Sequence, residues 1–211
     1  MLAEPILSVK SLYGERGDQI LFNDVNFELA EGDALHVQGV NGSGKSSLLK
    51  LLTLQSRFDE GEVVYKGHCI KTHSEQYKRA ICFIGHQQGI KNKLTLKANI
   101  QFFCQFFPIK KHIDIDEVLA QLNLLAFADF PTYQLSQGQK QRLALSRFLF
   151  SSASIWVMDE PYTALDSDGR QLLTQIIEGF LADSGIVILT HHAELSFKAK
   201  VCALGRPYKY G

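Results

Sequence analysis

At 211 residues with 45% apolar content, the chain can bury one sizeable core with room for a small appended lobe. Lys plus Arg and Asp plus Glu both number 22, so no global positive field exists to gather a polyanion, and a nucleic-acid partner is not expected. No apolar run approaches the roughly 18 residues needed to cross a bilayer, and the opening stretch, with Glu4 and Pro5, lacks the basic and apolar regions of a signal peptide. The expectation is a cytosolic chain that serves any membrane process by docking. Cys69, Cys82, Cys104 and Cys202 are scattered without a C-x-x-C pair and read as reduced, partly buried residues.

Short apolar runs bounded by Gly or Asp alternate with longer helical patterns, which predicts an α/β fold. Ile6 to Leu29 alternates apolar and polar residues, consistent with an antiparallel sheet flanking the core. Ala34 to Val37 reads as a buried strand, Gly39 to Gly44 as a glycine-rich loop, and Ser47 to Leu54 as a helix. A further strand is expected at Ile81 to Ile84. From Thr95 to about Phe150 no comparable strand occurs, and residues 95–150 are expected to form a helical lobe inserted into the α/β core of a single domain, 1–211. Within it, Phe102, Phe103, Phe106 and Phe107 recur on a helix opened by Thr95 and closed by Pro108, a stripe read as core of the lobe. Ile155 to Met158 and Ile186 to Leu189 are continuous in apolar residues, as strands covered on both faces should be. Between them Leu172, Leu173, Ile176, Ile177, Phe180 and Leu181 share one helical face, which predicts a βαβ crossover.

The chemistry lies where these elements meet. Gly39, Val40, Asn41, Gly42, Ser43, Gly44, Lys45 and Ser46 match the phosphate-binding pattern G-x-x-x-x-G-K-[ST] in full, in a strand-to-helix context, with Ser47 next. Glycines permit close backbone approach, so successive N–H groups can surround a β-phosphate while Lys45 reaches the β- and γ-phosphates and Ser46 ligates Mg²⁺. Asp159 follows the strand Ile155 to Met158, where a carboxylate at the carboxyl edge of a parallel sheet can hold Mg²⁺ through water. Glu160, directly after it, is positioned to orient or deprotonate an attacking water. His68, His73 and His112 lack regular metal-ligand spacing and read as solvated surface residues.

Leu135, Ser136, Gln137, Gly138 and Gln139 resemble the five-residue signature of ABC ATPases, commonly Leu-Ser-Gly-Gly-Gln, with Gln137 replacing the first usual glycine. Ser136 and Gly138 open a helix, so a hydroxyl, backbone N–H groups and the helix dipole can face an anion, although Ser136 can equally serve as a simple cap. The resemblance implies that the anion is the γ-phosphate of ATP held by a second copy of the chain. It also implies a P-loop fold of ABC ATPase type, with an N-terminal antiparallel β subdomain and an inserted helical subdomain.

Other positions follow the same family. Gln87 resembles the glutamine that touches Mg²⁺ and water and leads into the helical lobe. Asp166 resembles the aspartate that crosses the dimer interface. Thr190, His191 and His192 resemble the γ-phosphate-sensing switch, with His192 favoured over His191 because it immediately precedes the helix-like start Ala193, Glu194 and Leu195. Counting back from Asp24 puts Arg16 where the family stacks adenine on an aromatic ring, with Tyr13 three residues earlier, and both remain open.

Gly85 to Lys91, with Leu94 and Thr95, and Asp159 to Asp166 resemble the haem-exporter ATPase subunits of bacterial cytochrome c maturation. That likeness implies Mg²⁺ with ATP as substrate, integral-membrane subunits and a second copy as partners, a peripheral place on the cytoplasmic face of the inner membrane, and no haem bound by this chain. It further implies that hydrolysis drives release of a haem-loaded chaperone. The alternatives are an ATPase serving a transporter of another substrate, and a non-transport ABC ATPase of DNA repair or translation. The latter commonly carries paired cassettes, long insertions or basic surfaces, none of which is seen.

Overall fold

The computed structural model describes residues 4–110 and 112–208; the ends of the expected domain at Met1–Ala3 and Lys209–Gly211, and Lys111 within the expected lobe, lie outside the described residues. Strands β1 (Leu7–Arg16) and β2 (Gln19–Leu29) pair antiparallel, and β4 (Glu62–Tyr65) and β5 (His68–Cys69) extend that sheet in the order β2-β1-β4-β5. Leu7, Val9 and Leu12 are buried while Lys10, Ser11, Glu15 and Arg16 are exposed, the mark of a sheet with one face in the core.

The second sheet is parallel throughout, with order β6-β7-β8-β3-β9: β6 is Ile81–Ile84, β7 Ile155–Met158, β8 Ile186–Thr190, β3 Ala34–Gln38 and β9 Lys200–Ala203. Its strands β6, β7 and β8 are apolar on both faces because both faces are covered, while the edge strand β9 is largely exposed. Ile155, Val157, Ile186 and Ile188 pack toward the antiparallel sheet and α1 (Lys45–Leu52). Cys82, Ile84, Trp156, Met158, Val187 and Leu189 pack toward the helices. Helix α6 (Ser167–Ala182) links β7 to its parallel neighbour β8, the expected crossover. The sequence places α1 two residues late, because Gly44 sits in the left-handed region at φ 98° and caps the helix directly at Lys45.

Helix α2 (Ser74–Ala80) leads into β6, and between β6 and β7 the described residues form α3 (Leu96–Phe103), α4 (Ile115–Gln121) and α5 (Gln137–Phe150), with two single 3₁₀ turns and no strand. Thr95 caps α3 by accepting from the Ala98 N–H. The phenylalanine stripe is only partly core. Helix α3 stops at Phe103, five residues before the Pro108 expected to close it, so Phe103 is buried and Phe102 and Phe107 half-buried, while Phe106 is 65% exposed in the turn that follows. On β7, Trp156 is buried and stacks flat on Phe180 of α6 at 3.6 Å between centroids, with Phe148 of α5 at 4.8 Å. This aromatic group joins the helical lobe to the sheet. Trp156→Ala is expected to cost about 3–5 kcal/mol, measured by urea denaturation followed by circular dichroism.

Candidate functional site

The carboxyl edge of the parallel sheet gathers every loop of the site. After β3 the turn 39–44 leads into α1, and its glycines are required there. Gly44 has φ 98° and a Cβ on it would stand 2.8 Å from Cβ of Leu21, so the loop crosses the antiparallel sheet where no side chain fits. Lys45 is buried, and its Nζ donates to the carbonyls of Gly39 at 2.8 Å and Val40 at 3.4 Å, which draws the ammonium back under the loop. Asn41, Gly42, Ser46 and Ser47 line a cleft of about 440 Å³. Val40 is exposed at the rim, and Gly39 and Ser43 lie beneath the loop, with Ser43 fully buried.

Across that cleft stands a hydrogen-bonded corner at the end of β7. Asp159 is 7% exposed; its Oδ1 accepts from the Thr190 hydroxyl at 2.8 Å, and its own N–H donates to Ile84 of β6. The same Thr190 oxygen accepts from the Glu160 N–H at 2.8 Å. One hydroxyl at the end of β8 therefore orients both members of the Asp-Glu pair, a role of Thr190 that no local pattern reveals. Glu160 adopts φ 53°, a left-handed conformation uncommon outside glycine, and this turns its carboxylate toward the histidines after β8. His192 Nε2 lies 3.3 Å from one Glu160 oxygen and His191 Nδ1 3.8 Å from the other.

The two histidines differ in surroundings. His192 is largely exposed and lines the cleft. His191 is partly buried, tilted against the Tyr162 ring at 4.8 Å, and its carbonyl oxygen meets Nε2 of His36 at 2.9 Å. His191 thus belongs to the wall, and His192 to the opening.

His86 was not foreseen as part of the site. Its Nε2 stands 3.2 Å from Asp159 Oδ2 and 3.5 Å from Ser46 Oγ. Two oxygen donors from opposite sides of the cleft therefore converge on one point, a pairing suited to a hard divalent cation. Gln87, expected there from its family position, is exposed and lies outside the lining of the cleft. The tripeptide His86, Gln87, Gln88 offers three polar side chains at this loop, and nothing in their spacing tells which one turns inward.

Arg16 lines the cleft and also a neighbouring hollow of about 590 Å³, which Tyr13 lines as well. Tyr13 donates its phenol to Glu15 at 2.7 Å. Of the two candidates for the base, Arg16 alone borders both spaces.

Ser136 caps α5 in a full capping box: its Oγ accepts from the Gln139 N–H at 3.2 Å, and Gln139 Oε1 accepts from the Ser136 N–H at 2.9 Å. Capping and anion binding are compatible, since an accepting hydroxyl keeps its own proton to donate. Gly138 has a different reason to be glycine: a Cβ there would sit 2.9 Å from the Ala164 carbonyl. Gln137 lines an adjoining cleft that shares His86, Asp159, Glu160 and His192. Asp166 caps α6 by accepting from the Gly169 N–H at 2.8 Å and lies 3.9 Å from Arg142. The structure thus brings the phosphate loop, the Asp-Glu pair and His192 around one cleft, and sets Ser136, Gln139 and Asp166 on helix starts outside it.

A phosphate loop facing a buried Asp-Glu corner at the edge of a parallel sheet, with an antiparallel sheet on one side and a helical lobe on the other, defines the ABC type of P-loop ATPase. Residues 22–163 match the ABC transporter family model, and the chain belongs to that family. It is 40% identical over 190 residues to the cytochrome c biogenesis ATP-binding export protein CcmA of Pasteurella multocida, covering 90% of this chain and 89% of the relative. The CcmA protein of Salmonella typhi is equally similar, with 91% of its length covered. In fold the chain matches an ABC transporter ATP-binding protein from Pyrococcus furiosus with a TM-score of 0.80, at 24% identity over 94% of this chain and 96% of that one. Among the described residues no helix is long and apolar enough to cross a membrane.

Thr190→Val keeps the volume of Thr190 and removes both hydrogen bonds, leaving the Glu160 N–H without its acceptor. A stability loss of about 1–3 kcal/mol is expected, together with slower ATP hydrolysis, measured by denaturation and by phosphate release. Burial pushes the pKa of His191 below its ordinary 6.5, against the opposing pull of Glu160. Because the folded value is depressed, the unfolded chain takes up the proton first; the contribution is intact above 6.5 and is lost as the pH falls below it. His191→Gln should therefore flatten the fall in Tm between about pH 7 and about pH 5.

Proposed function

We propose that this chain is the ATP-hydrolysing subunit of an ABC export complex of cytochrome c biogenesis, working as a pair of copies beneath integral-membrane partners at the cytoplasmic face of the bacterial inner membrane. The observation that carries this reading is the cleft in which Lys45, Ser46, Asp159, Glu160 and His192 converge, in a chain 40% identical to CcmA proteins over 90% of its length. ATP is the substrate. The N–H groups of residues 39–47 receive the β-phosphate, and the Lys45 ammonium leaves the Gly39 and Val40 carbonyls to meet the β- and γ-phosphates. Ser46 and Asp159, with Gln87 of the adjoining loop, would hold Mg²⁺. When bound, Mg²⁺ neutralises developing charge on the phosphates. Swinging of exposed His86 away from Asp159 opens that position.

Glu160 orients the attacking water and accepts its proton as the oxygen bonds to phosphorus. Its left-handed backbone and the Thr190 hydrogen bond fix where the carboxylate starts. His192, 3.3 Å from that carboxylate, senses the γ-phosphate. Ser136, Gln137, Gly138 and Gln139 close over the ATP of the other copy, and Asp166 crosses between copies. Residues 95–150 act as the helical lobe through which hydrolysis is felt by the membrane subunits. The identity to export proteins of cytochrome c biogenesis favours haem-linked transport over another cargo.

Lys45→Ala is expected to lower ATP hydrolysis at least about a hundredfold with loss of nucleotide binding. Glu160→Gln should keep ATP binding and slow turnover to a similar degree, so that a nucleotide-bound dimer accumulates on gel filtration. Phosphate release and binding of a fluorescent ATP analogue measure the two separately. In a strain lacking the gene, neither variant should restore holo-cytochromes c, and normal cytochromes c in the deletion strain would refute the assignment to cytochrome c biogenesis.

A further inference from the structure

Gln141 and Arg147, two long polar side chains buried on α5, have no part in the phosphate cleft. Gln141 is 7% exposed and Arg147 6% exposed, on a helix whose other inward residues, Leu143, Ala144, Leu145, Phe148 and Phe150 among them, are apolar apart from the small Ser146. Burying an amide and a guanidinium costs free energy unless each finds partners. Gln141 finds two. Its Oε1 accepts from Nε2 of Gln88, and its Nε2 donates to the Pro161 carbonyl at 2.9 Å. It therefore bridges the loop after β6, where His86 and Gln87 lie, and the carbonyl of Pro161, the residue after Glu160. Arg147, two turns further along α5, donates through Nη2 to the Gln88 carbonyl and lies over the Phe103 ring at 4.1 Å.

Arg147 has an unusual setting for a cation. Among the described residues no carboxylate pairs with it, and its Nε has no acceptor. Burial lowers its pKa to about 10, so it remains charged at neutral pH. A charge held this way is a poor contributor to stability, since an apolar side chain of equal size would avoid the desolvation. It does make one directed contact, to a backbone carbonyl in the loop. Gly89 follows in the left-handed region at φ 68°, and a Cβ there would meet Arg147 Nη2 at 3.0 Å, so the loop comes close to the guanidinium where no side chain intervenes. The far end of the loop is tied as well: buried Asn99 accepts from the Lys91 N–H at 2.8 Å and donates to its carbonyl at 3.1 Å.

We propose that Gln141 and Arg147 are positioning residues for hydrolysis: together they lock the His86–Gly89 loop to the Pro161 carbonyl, one residue beyond Glu160, through α5, so that the loop facing the metal position and the general base keep one register. The inference rests on the role given to Glu160 under the proposed function. Helix α5 begins at Ser136, which makes the same helix the spacer between that register and the surface offered to the second copy. A buried Gln and a buried Arg give this lock direction, which apolar packing cannot, because a hydrogen bond fixes an angle as well as a separation.

The test uses the assembled transporter in membranes, with Gln141→Glu, Gln88→Ala, their double variant and Arg147→Met measured beside Lys45→Ala. Gln141→Glu keeps the acceptor for Gln88 and sets an oxygen against the Pro161 carbonyl. The single variants are expected to lower kcat about tenfold, in line with one directed hydrogen bond to a positioned group, with KM for ATP and binding of a fluorescent ATP analogue changed less than about twofold. Gln88→Ala and Gln141→Glu should be non-additive, the double falling no further than the worse single, because they cut the same Gln88–Gln141–Pro161 chain at its two ends. Arg147→Met should bring the same kcat loss with Tm kept or raised. Unchanged kcat in Gln141→Glu and Gln88→Ala beside an inactive Lys45→Ala would overturn the lock and leave the site assignment standing. Independent, multiplying losses, or a fall in nucleotide binding that tracks a lower Tm, would equally overturn it by reducing the residues to ordinary packing. Full activity of Lys45→Ala would remove the site reading, and the lock with it.

Discussion

The Asp159 carboxylate, almost wholly removed from solvent, is the constraint around which the rest of this molecule is arranged. A carboxylate in that position has lost its hydration and needs hydrogen-bond donors in place of water. The Thr190 hydroxyl meets this need at 2.8 Å, and Thr190 is available only because β8 lies beside β7 in the parallel sheet. The same hydroxyl accepts from Glu160, so satisfying one buried charge also fixes the neighbouring carboxylate. β6 supplies Ile84 as acceptor for the Asp159 N–H, and β3, on the other side of β8, leads into the phosphate loop. The strand order therefore brings the adjacent Asp159 and Glu160 carboxylates to the same edge as the glycine-rich loop 39–44, although more than a hundred residues of sequence separate them.

How much of this could be read from the residues depends on whether the signal is local. Ile81–Ile84 and Ile155–Met158 are legible to the residue, since a strand buried on both faces must be apolar at every position, and the runs end at Gly85 and at Asp159. The loop 39–46 is legible because close approach to phosphate and a left-handed helix entry restrict residue type position by position. Phe106 is misread, since helical spacing assumes the helix persists to Pro108, whereas the chain turns off after Phe103. His86 escapes notice for a different reason. Its partners, Ser46 and Asp159, are 40 and 73 residues away in sequence, and no periodicity encodes a contact made across a cleft.

The same distinction explains why two glycines at the starts of helices carry different information. Gly44 announces itself through its motif, and its φ of 98° and the proximity of Leu21 account for it. Gly138 has no positive φ, and its local context would accept alanine, which is a better helix former. What excludes alanine is the Ala164 carbonyl, 2.9 Å from where the Cβ would be, delivered by the turn after β7. Ala164 is itself left-handed at φ 65°, so that turn is bent until its backbone touches the start of α5.

This contact has a mechanical consequence. The turn carrying Ala164 begins at Glu160 and ends at Asp166, the cap of α6, so its two ends are tied to the catalytic corner and to a helix anchored on the sheet. Helix α5 touches it at two levels, through Gly138 against Ala164 and through Gln141 to the Pro161 carbonyl. With only one such contact the helical lobe could pivot about it, whereas two separated along the helix axis resist rotation and oblige the start of α5 to follow any shift of the Glu160 peptide. Ser136 rides on that same start as its cap. A change at the carboxylate corner is thus carried to the exposed end of α5 through backbone contacts and one buried amide, with no need for a flexible connection between the lobe and the sheet.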